Sequence, residues 1–455
     1  MTSTFKQGPA ALRATSSLSS TAAAAAAVSG RLVSGYTSLH WAVENDDGDA
    51  VALLLSAGAD VNRAAAFDAH AGVTPLHLAA QDGHTEVAAA LLRHGAERDP
   101  RKSTRHRDNV TPLHQAVYNG HAATVGVLLA AGCDPGVQAD NGYAALHYAA
   151  QRGDVAMTRA IVGAPGCDAA LRASTRDQRD ITALHLAVQS ASVDVVRALA
   201  AAGAPVDAGK RMADGVAGVT PLHQAVYQER DEIVAALLEL GADARQSMDG
   251  WYTPLHVAAE KGSAAIARRL LEAMRPVAGE VEAAPQGGVD ARASHGEHVD
   301  VTPLHVAAQH GHADLIRLFL DAGADTAAVR GFGDRGAITA LHLAAENGFV
   351  DAVAALLEST HVEARDSLGF TALHLAAQYQ FPRVARALVA AGADTSARTD
   401  DGLTAWDIAD RQHDTPVLEI LEPAMPRAPE TIPALADNKR KSSKLRGLLC
   451  GLNKH

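Results

Sequence analysis

The chain holds 455 residues, with 40 Lys+Arg against 52 Asp+Glu, a net charge of −12 and an aromatic fraction of only 4%. Thick globular cores draw heavily on Phe, Tyr and Trp, so the 47% of hydrophobic residues must be mostly Ala, Leu and Val, which suit many thin helix–helix interfaces. No apolar run reaches the roughly 18 residues of a membrane span, and three cysteines cannot build a disulfide framework, which points to a reducing, cytoplasmic setting.

Residues 1–36 are rich in Ser, Thr and Ala, include the run Ala22 to Ala27, and carry a charge of +3 with no acid. The composition overlaps with mitochondrial transit peptides, although three basic residues are few for one; a disordered or loosely helical cap is the expected state.

A repeat then takes over. Thr74-Pro75-Leu76-His77-Leu78-Ala79 returns as Thr111-Pro112-Leu113-His114, Thr220-Pro221-Leu222-His223, Thr253-Pro254-Leu255-His256 and Thr302-Pro303-Leu304-His305. Looser copies start at Thr37, Ala144, Thr182, Thr339, Thr371 and Thr404, giving eleven starts spaced 37, 37, 33, 38, 38, 33, 49, 37, 32 and 33 residues apart. Each recurrent residue has a physical use. Thr74 can cap a helix, and Pro75 fits its first position, where no N–H is needed. Leu76, Ala79 and Ala80 share one face, and Gly83 can take the left-handed conformation that stops the helix. A second helix follows with Val87, Leu91 and Leu92 at helical spacing, ending at Gly95. One pair of short helices cannot bury its apolar face alone, so neighbours must stack.

On these residues the sequence resembles the ankyrin-repeat family, whose signature is T-P-L-H-x-A on a period near 33. The resemblance covers about residues 37–422. It implies an all-α fold: a solenoid of stacked helix-turn-helix units with projecting loop or hairpin fingers. For function it implies protein–protein interaction, and the fold itself hosts many unrelated partners.

The twenty-two histidines raise the question of a metal or catalytic centre. Ten of them (His40, His77, His114, His147, His185, His223, His256, His305, His342 and His374) occupy the motif position, which in the family bonds adjoining turns. His84, His121 and His312 follow the helix-ending glycine and read as equally structural. There is no HExxH, CxxC pair, Gly-x-Ser-x-Gly or P-loop, so no cofactor, metal or enzymatic activity is expected. Cys133 and Cys167 replace Ala in the turn after the second helix and read as small buried hydrophobes.

Specificity is expected where the copies differ. The seventh and eighth positions after each start include Tyr118, Arg152, Tyr227 and Tyr379, and the fourth adds Trp41 and Tyr148; in ankyrin-like proteins these positions look onto the concave groove. Aromatic and polar side chains mixed on one face suit peptide recognition. The finger 98–107 carries Arg98, Arg101, Lys102, Arg105 and Arg107 against Asp99, followed by Arg172, Arg176, Arg179, Lys210 and Arg211. A basic edge of this kind suits an acidic or phosphorylated partner segment, with solvated loop tips as the plainer alternative.

The 49-residue spacing contains Pro276 through Asp300, with Pro285 and Gly287-Gly288, and reads as a flexible loop and candidate hinge. After Thr404, Asp407 replaces the motif histidine, and Pro423, Pro426, Pro429 and Pro433 mark a linker over 423–437. The tail 438–455 carries +6 with no acid. Its basic cluster fits a nuclear-localisation signal or an anionic membrane surface; Cys450 is a candidate acylation site, and Ser442 and Ser443 are candidate phosphorylation sites. With both basic ends removed the body holds −21, which speaks against general nucleic-acid binding.

The sequence therefore points to a non-enzymatic scaffold or adaptor that binds partner proteins on its groove and fingers. The alternative is a regulator, nuclear or peripheral to a membrane through its tail, that inhibits or delivers an enzyme.

Overall fold

Each repeat start becomes the N-terminus of a helix. A computed structural model describes residues 36–67, 70–103, 109–175, 177–249, 251–275, 288–333 and 335–422. The N-terminal segment 1–35, the linker and tail with Ser442, Ser443 and Cys450, and finger residues Arg105, Arg107 and Arg176 lie outside the described residues. The chain forms two compact units, Met1–Arg211 and Met212–His455.

The first unit holds five helix pairs: α1 and α2 (Ser38–Glu44, Gly48–Ser56), α3 and α4 (Pro75–Asp82, Thr85–Arg93), α5 and α6 (Pro112–Asn119, Ala122–Ala130), α7 and α8 (Ala145–Arg152, Val155–Val162), and α9 and α10 (Ala183–Gln189, Val193–Ala201). The second holds six: α11 and α12 (Pro221–Tyr227, Asp231–Glu239), α13 and α14 (Pro254–Lys261, Ala264–Ala273), α15 and α16 (Pro303–His310, Ala313–Asp321), α17 and α18 (Ala340–Glu346, Val350–Leu357), α19 and α20 (Ala372–Gln378, Pro382–Ala390), and α21 and α22 (Ala405–Arg411, Thr415–Leu421). Within each unit, first helices pack on first helices and second on second, so the stack has two helical layers.

Local chemistry explains the helix ends. The Thr111 hydroxyl accepts the His114 backbone N–H at 3.4 Å, and Pro112 fills the first turn. At Ala144, which has no hydroxyl, only the bond from its own N–H to His147 Nδ1 (3.2 Å) remains. Gly83 ends α3 at φ 80°. Where that glycine is missing, Ala191, Glu229 and Gln380 take the left-handed step instead, at φ 59°, 55° and 61°.

The core is small and aliphatic. Leu76, Ala79 and Ala80 of α3 and Val87, Ala88 and Leu91 of α4 are buried, and the alanines set the close approach of neighbouring first helices. Phe319 in α16 is among the largest fully buried side chains, and burying such a ring contributes about 1.5–3 kcal/mol.

The fingers add short strands to the helical array. In the first unit β1 (Ala65–Phe67) and β2 (His70–Val73) form a hairpin with Ala65 opposite Val73, and Ala71 bridges to Ser103 of the next finger. Two-residue strands follow as β3 (Gln178–Arg179) and β4 (Arg211–Met212). In the second unit β5 (Ala293–His295), β6 (His298–Val301), β7 (Arg330–Phe332) and β8 (Arg335–Ile338) run antiparallel in that order as one sheet, so two successive hairpin fingers are joined edge to edge.

The long insertion corrects one expectation. Residues 276–287 lie outside the described residues, but 293–301 form the β5–β6 hairpin rather than a loose loop. Across the insertion α13 still packs against α15, and His256 still reaches Val301 at 3.0 Å, so the stack continues without a break there.

Candidate functional site

The motif histidines are bound into the scaffold. Nε2 meets the carbonyl just before the next repeat's start: His77 to Val110 O at 3.0 Å, His114 to Tyr143 O at 3.1 Å, His305 to Ile338 O at 3.1 Å. A carbonyl only accepts, so Nε2 carries the proton and Nδ1 accepts the N–H of the repeat's own Thr, as from Thr74 at 3.2 Å. Burial, the largest cause, lowers the pKa of His77 and His305 to about 3 and of His40, His147, His223 and His256 to about 4. These rings are neutral struts between repeats. His121 and His312 do a similar job, reaching Gln81 O at 2.9 Å and Glu260 O at 3.3 Å. Among the described residues no group of three or more His, Cys, Asp or Glu is placed to hold a metal. Burial pushes the Cys133 thiol up to about 12, and its Sγ–H donates to Arg98 O.

Exposed aromatic side chains lie at the ends of the first helices. Tyr118, at the end of α5, is 53% exposed and rests edge-on against Tyr148, with ring centroids 5.9 Å apart. Tyr148 itself is 2% exposed, enclosed by Tyr118, His114 and Tyr143. The expectation that Tyr148 lines the groove is therefore corrected: the fourth position of the helix points at the neighbouring first helix, and only the seventh and eighth emerge past it. Gln224, another fourth-position side chain, is buried for the same reason, and Trp41 is half-buried. Arg152 is exposed and ties two repeats together by donating from Nη1 to Tyr118 O at 2.8 Å. In the second unit the Lys261 ammonium sits 3.7 Å over the half-buried Tyr227 ring. Tyr379, exposed, donates its hydroxyl to Glu346 at 3.2 Å.

The basic finger also differs from expectation. Arg101 is exposed, but Lys102 is only 2% exposed, and its ammonium donates to Gln81 Oε1 at 3.4 Å. Burial lowers the Lys102 pKa to about 8. Its side chain runs inward from the finger base to the end of α3, so it is not part of a solvent-facing edge. Lys210 is likewise buried, donating to Gln178 Oε1 at 3.2 Å, while Arg172 and Arg179 are exposed.

One charged cluster escaped the sequence reading. In the second unit Arg335 donates to Glu346 (2.9 Å) and to Asp366 (2.7 Å), whose side chain is wholly buried. Beside them Arg330, 8% exposed, donates from Nη1 to Gln309 Oε1 at 3.1 Å. The signal was present: Lys102 and Arg330 both stand nine residues before a repeat's Thr.

A profile of ankyrin repeats (three copies) matches overlapping segments of the chain, 39–139, 113–210, 146–248, 205–282, 222–330, 281–366 and 304–399. No curated protein matches. Among 527 matching chains of solved structures is the ankyrin repeat domain of Bcl-3, described as a unique member of the IkappaB protein family. It is 28% identical, with a TM-score of 0.43, and the match covers 52% of this chain and 94% of that one.

Proposed function

The chain belongs to the ankyrin-repeat family, and on that premise we propose that it is a non-enzymatic adaptor that binds partner proteins on the ends of its first helices and the adjoining fingers. One observation carries this reading: Tyr118 presents its ring to solvent from a fixed backing of Tyr148 and Tyr143. A large aromatic side chain held still loses little freedom on binding, which is how interface hot spots gain affinity. Asn119, its chain neighbour, and Arg152, bonded to the Tyr118 carbonyl, set exposed polar groups beside it and supply the rim. The cytoplasm is the proposed location, supported by the free thiols of Cys133 and Cys167.

The test is affinity capture with the full chain, with the chain ending at Asp437, and with Tyr118→Ala. A discrete set of proteins kept without the tail and weakened by Tyr118→Ala supports the reading. Equal recovery by Tyr118→Ala refutes it, and loss with the tail alone moves recognition to residues 438–455.

A further inference from the structure

Five finger bases share one register. Ala65 lies opposite Val73, Lys102 opposite Val110, Ala173 opposite Ile181, Ala293 opposite Val301 and Arg330 opposite Ile338, and in each case the second residue directly precedes a repeat start. All five first residues are buried. Three are alanine, so the fold closes this position with a methyl group; the cations at the other two are not needed to build the finger.

Both cations are held in the same way. Lys102 donates to Gln81 and Arg330 to Gln309, each glutamine lying seven residues after its own repeat's Thr. A neutral amide oxygen is a poor exchange for the water a full charge gives up, and buried charges are ordinarily paired. Among the described residues neither cation forms an ion pair, and Arg330 Nε has no partner at all. The carboxylates nearby are distant or engaged. Asp82 attracts Lys102 only from beyond contact. Glu346 attracts Arg330 but is already shared by Arg335 and Tyr379. In the first unit the site adjoins the exposed aromatic, since Asn119, next to Tyr118, donates to Gln81 O at 3.0 Å.

We infer that Lys102 and Arg330 are receptor cations for the side-chain carboxylates of an acidic segment of the partner protein. The inference rests on the adaptor reading and deepens it. Within each unit, an extended Asp- or Glu-bearing stretch laid across the first-helix ends delivers a carboxylate to that unit's own finger base, and beside Lys102 it sets an apolar side chain on Tyr118. The glutamine at each site already points its acceptor at the cation, so an arriving carboxylate joins that bond or takes it over.

The probe is a fluorescein-labelled peptide of repeated Glu-Gly-Phe-Ser, compared by fluorescence anisotropy with its Gln-Gly-Phe-Ser and phosphoserine-Gly-Phe-Ser counterparts. The full chain should bind the Glu peptide about tenfold or more tightly than the Gln peptide. Lys102→Met and Arg330→Met should each erase part of that preference, with thermal midpoints no lower than the parent's, since alanine serves the same register elsewhere. Calorimetry at pH 8.5 in two buffers should show proton uptake with the Glu peptide that Lys102→Met abolishes, because Lys102 with a pKa of about 8 gains its full charge on meeting a carboxylate. Equal binding of Glu and Gln peptides, or a preference untouched by both variants, overturns the inference; binding of the phosphoserine peptide alone overturns the carboxylate assignment. If partner capture succeeds while the peptides are not distinguished, this inference falls and the adaptor reading stands; if both fail, both fall.

Discussion

Replacing Gly311 with alanine tests how one repeat locks onto the next. Gly311 ends α15 at φ 76°, and a Cβ built there would lie 2.6 Å from the ring of Phe349, which belongs to the following repeat. Gly323 has nearly the same backbone, φ 85°, and nothing within 4 Å of its Cβ. At both sites alanine meets the left-handed penalty, about 1–2 kcal/mol, partly offset by about 0.4–1 kcal/mol from the stiffer unfolded chain. Only at Gly311 must Phe349 also retreat, and overpacking of this kind costs a further 1–3 kcal/mol or so. Gly311→Ala should therefore lose about 2–4 kcal/mol and Gly323→Ala about 1 kcal/mol. Because a repeat array need not unfold in one step, the assay is urea denaturation followed residue by residue through hydrogen exchange in α15–α18. Adding Phe349→Ala should shrink the cost of Gly311→Ala and leave that of Gly323→Ala unchanged. Equal losses at the two glycines would refute the idea that the glycine is there for its neighbour as well as for its own backbone.

Two further outcomes follow from the buried side chains. Six motif histidines have folded-state pKa values near 3 or 4, below the ordinary 6.5 that they regain on unfolding, so below pH 6.5 the unfolded chain takes up protons the folded chain refuses. The contribution of these histidines should be level above about pH 7 and then fall by about 1.4 kcal/mol per pH unit per histidine down to about pH 4; a urea midpoint unchanged between pH 7.5 and 5.5 contradicts this. Tyr148→Ala should cost about 3–5 kcal/mol in thermal or urea unfolding, whereas Tyr118→Ala should stay within about 0.5 kcal/mol; similar losses would mean that the two rings do not divide into backing and surface.

The starts, the caps and the two-layer stack were legible because each depends on residues close in sequence: Thr74 with His77, Pro75 at the first turn, Gly83 at φ 80°. The histidines were legible as struts because ten copies in register cannot all be catalytic. Tyr148 was misplaced because its burial is decided by the repeat next door, and Lys102 because its side chain folds back onto Gln81, 21 residues earlier, neither of which composition reveals. Tyr148 needs Tyr118 and Tyr143 around it, and Lys102 needs Gln81 at the end of α3. The Arg335 cluster joins a finger, the following first helix and Asp366 of the next finger, so no single motif contains it.

The joined sheet β5–β8 changes what kind of mutation the array can absorb. Surface loops are ordinarily the places where chains gain and lose residues. Here Val299 is paired with Gly331 and Arg330 with Ile338, so one residue added to a strand would turn each following side chain to the opposite face and expel Arg330 from its place over Gln309. The extra length between Thr253 and Thr302 was accepted upstream of the hairpin, where His256 can still close on Val301. Hydrogen bonding between fingers thus restricts where this array can take extra length: an insertion before a hairpin should be tolerated and one within it should not.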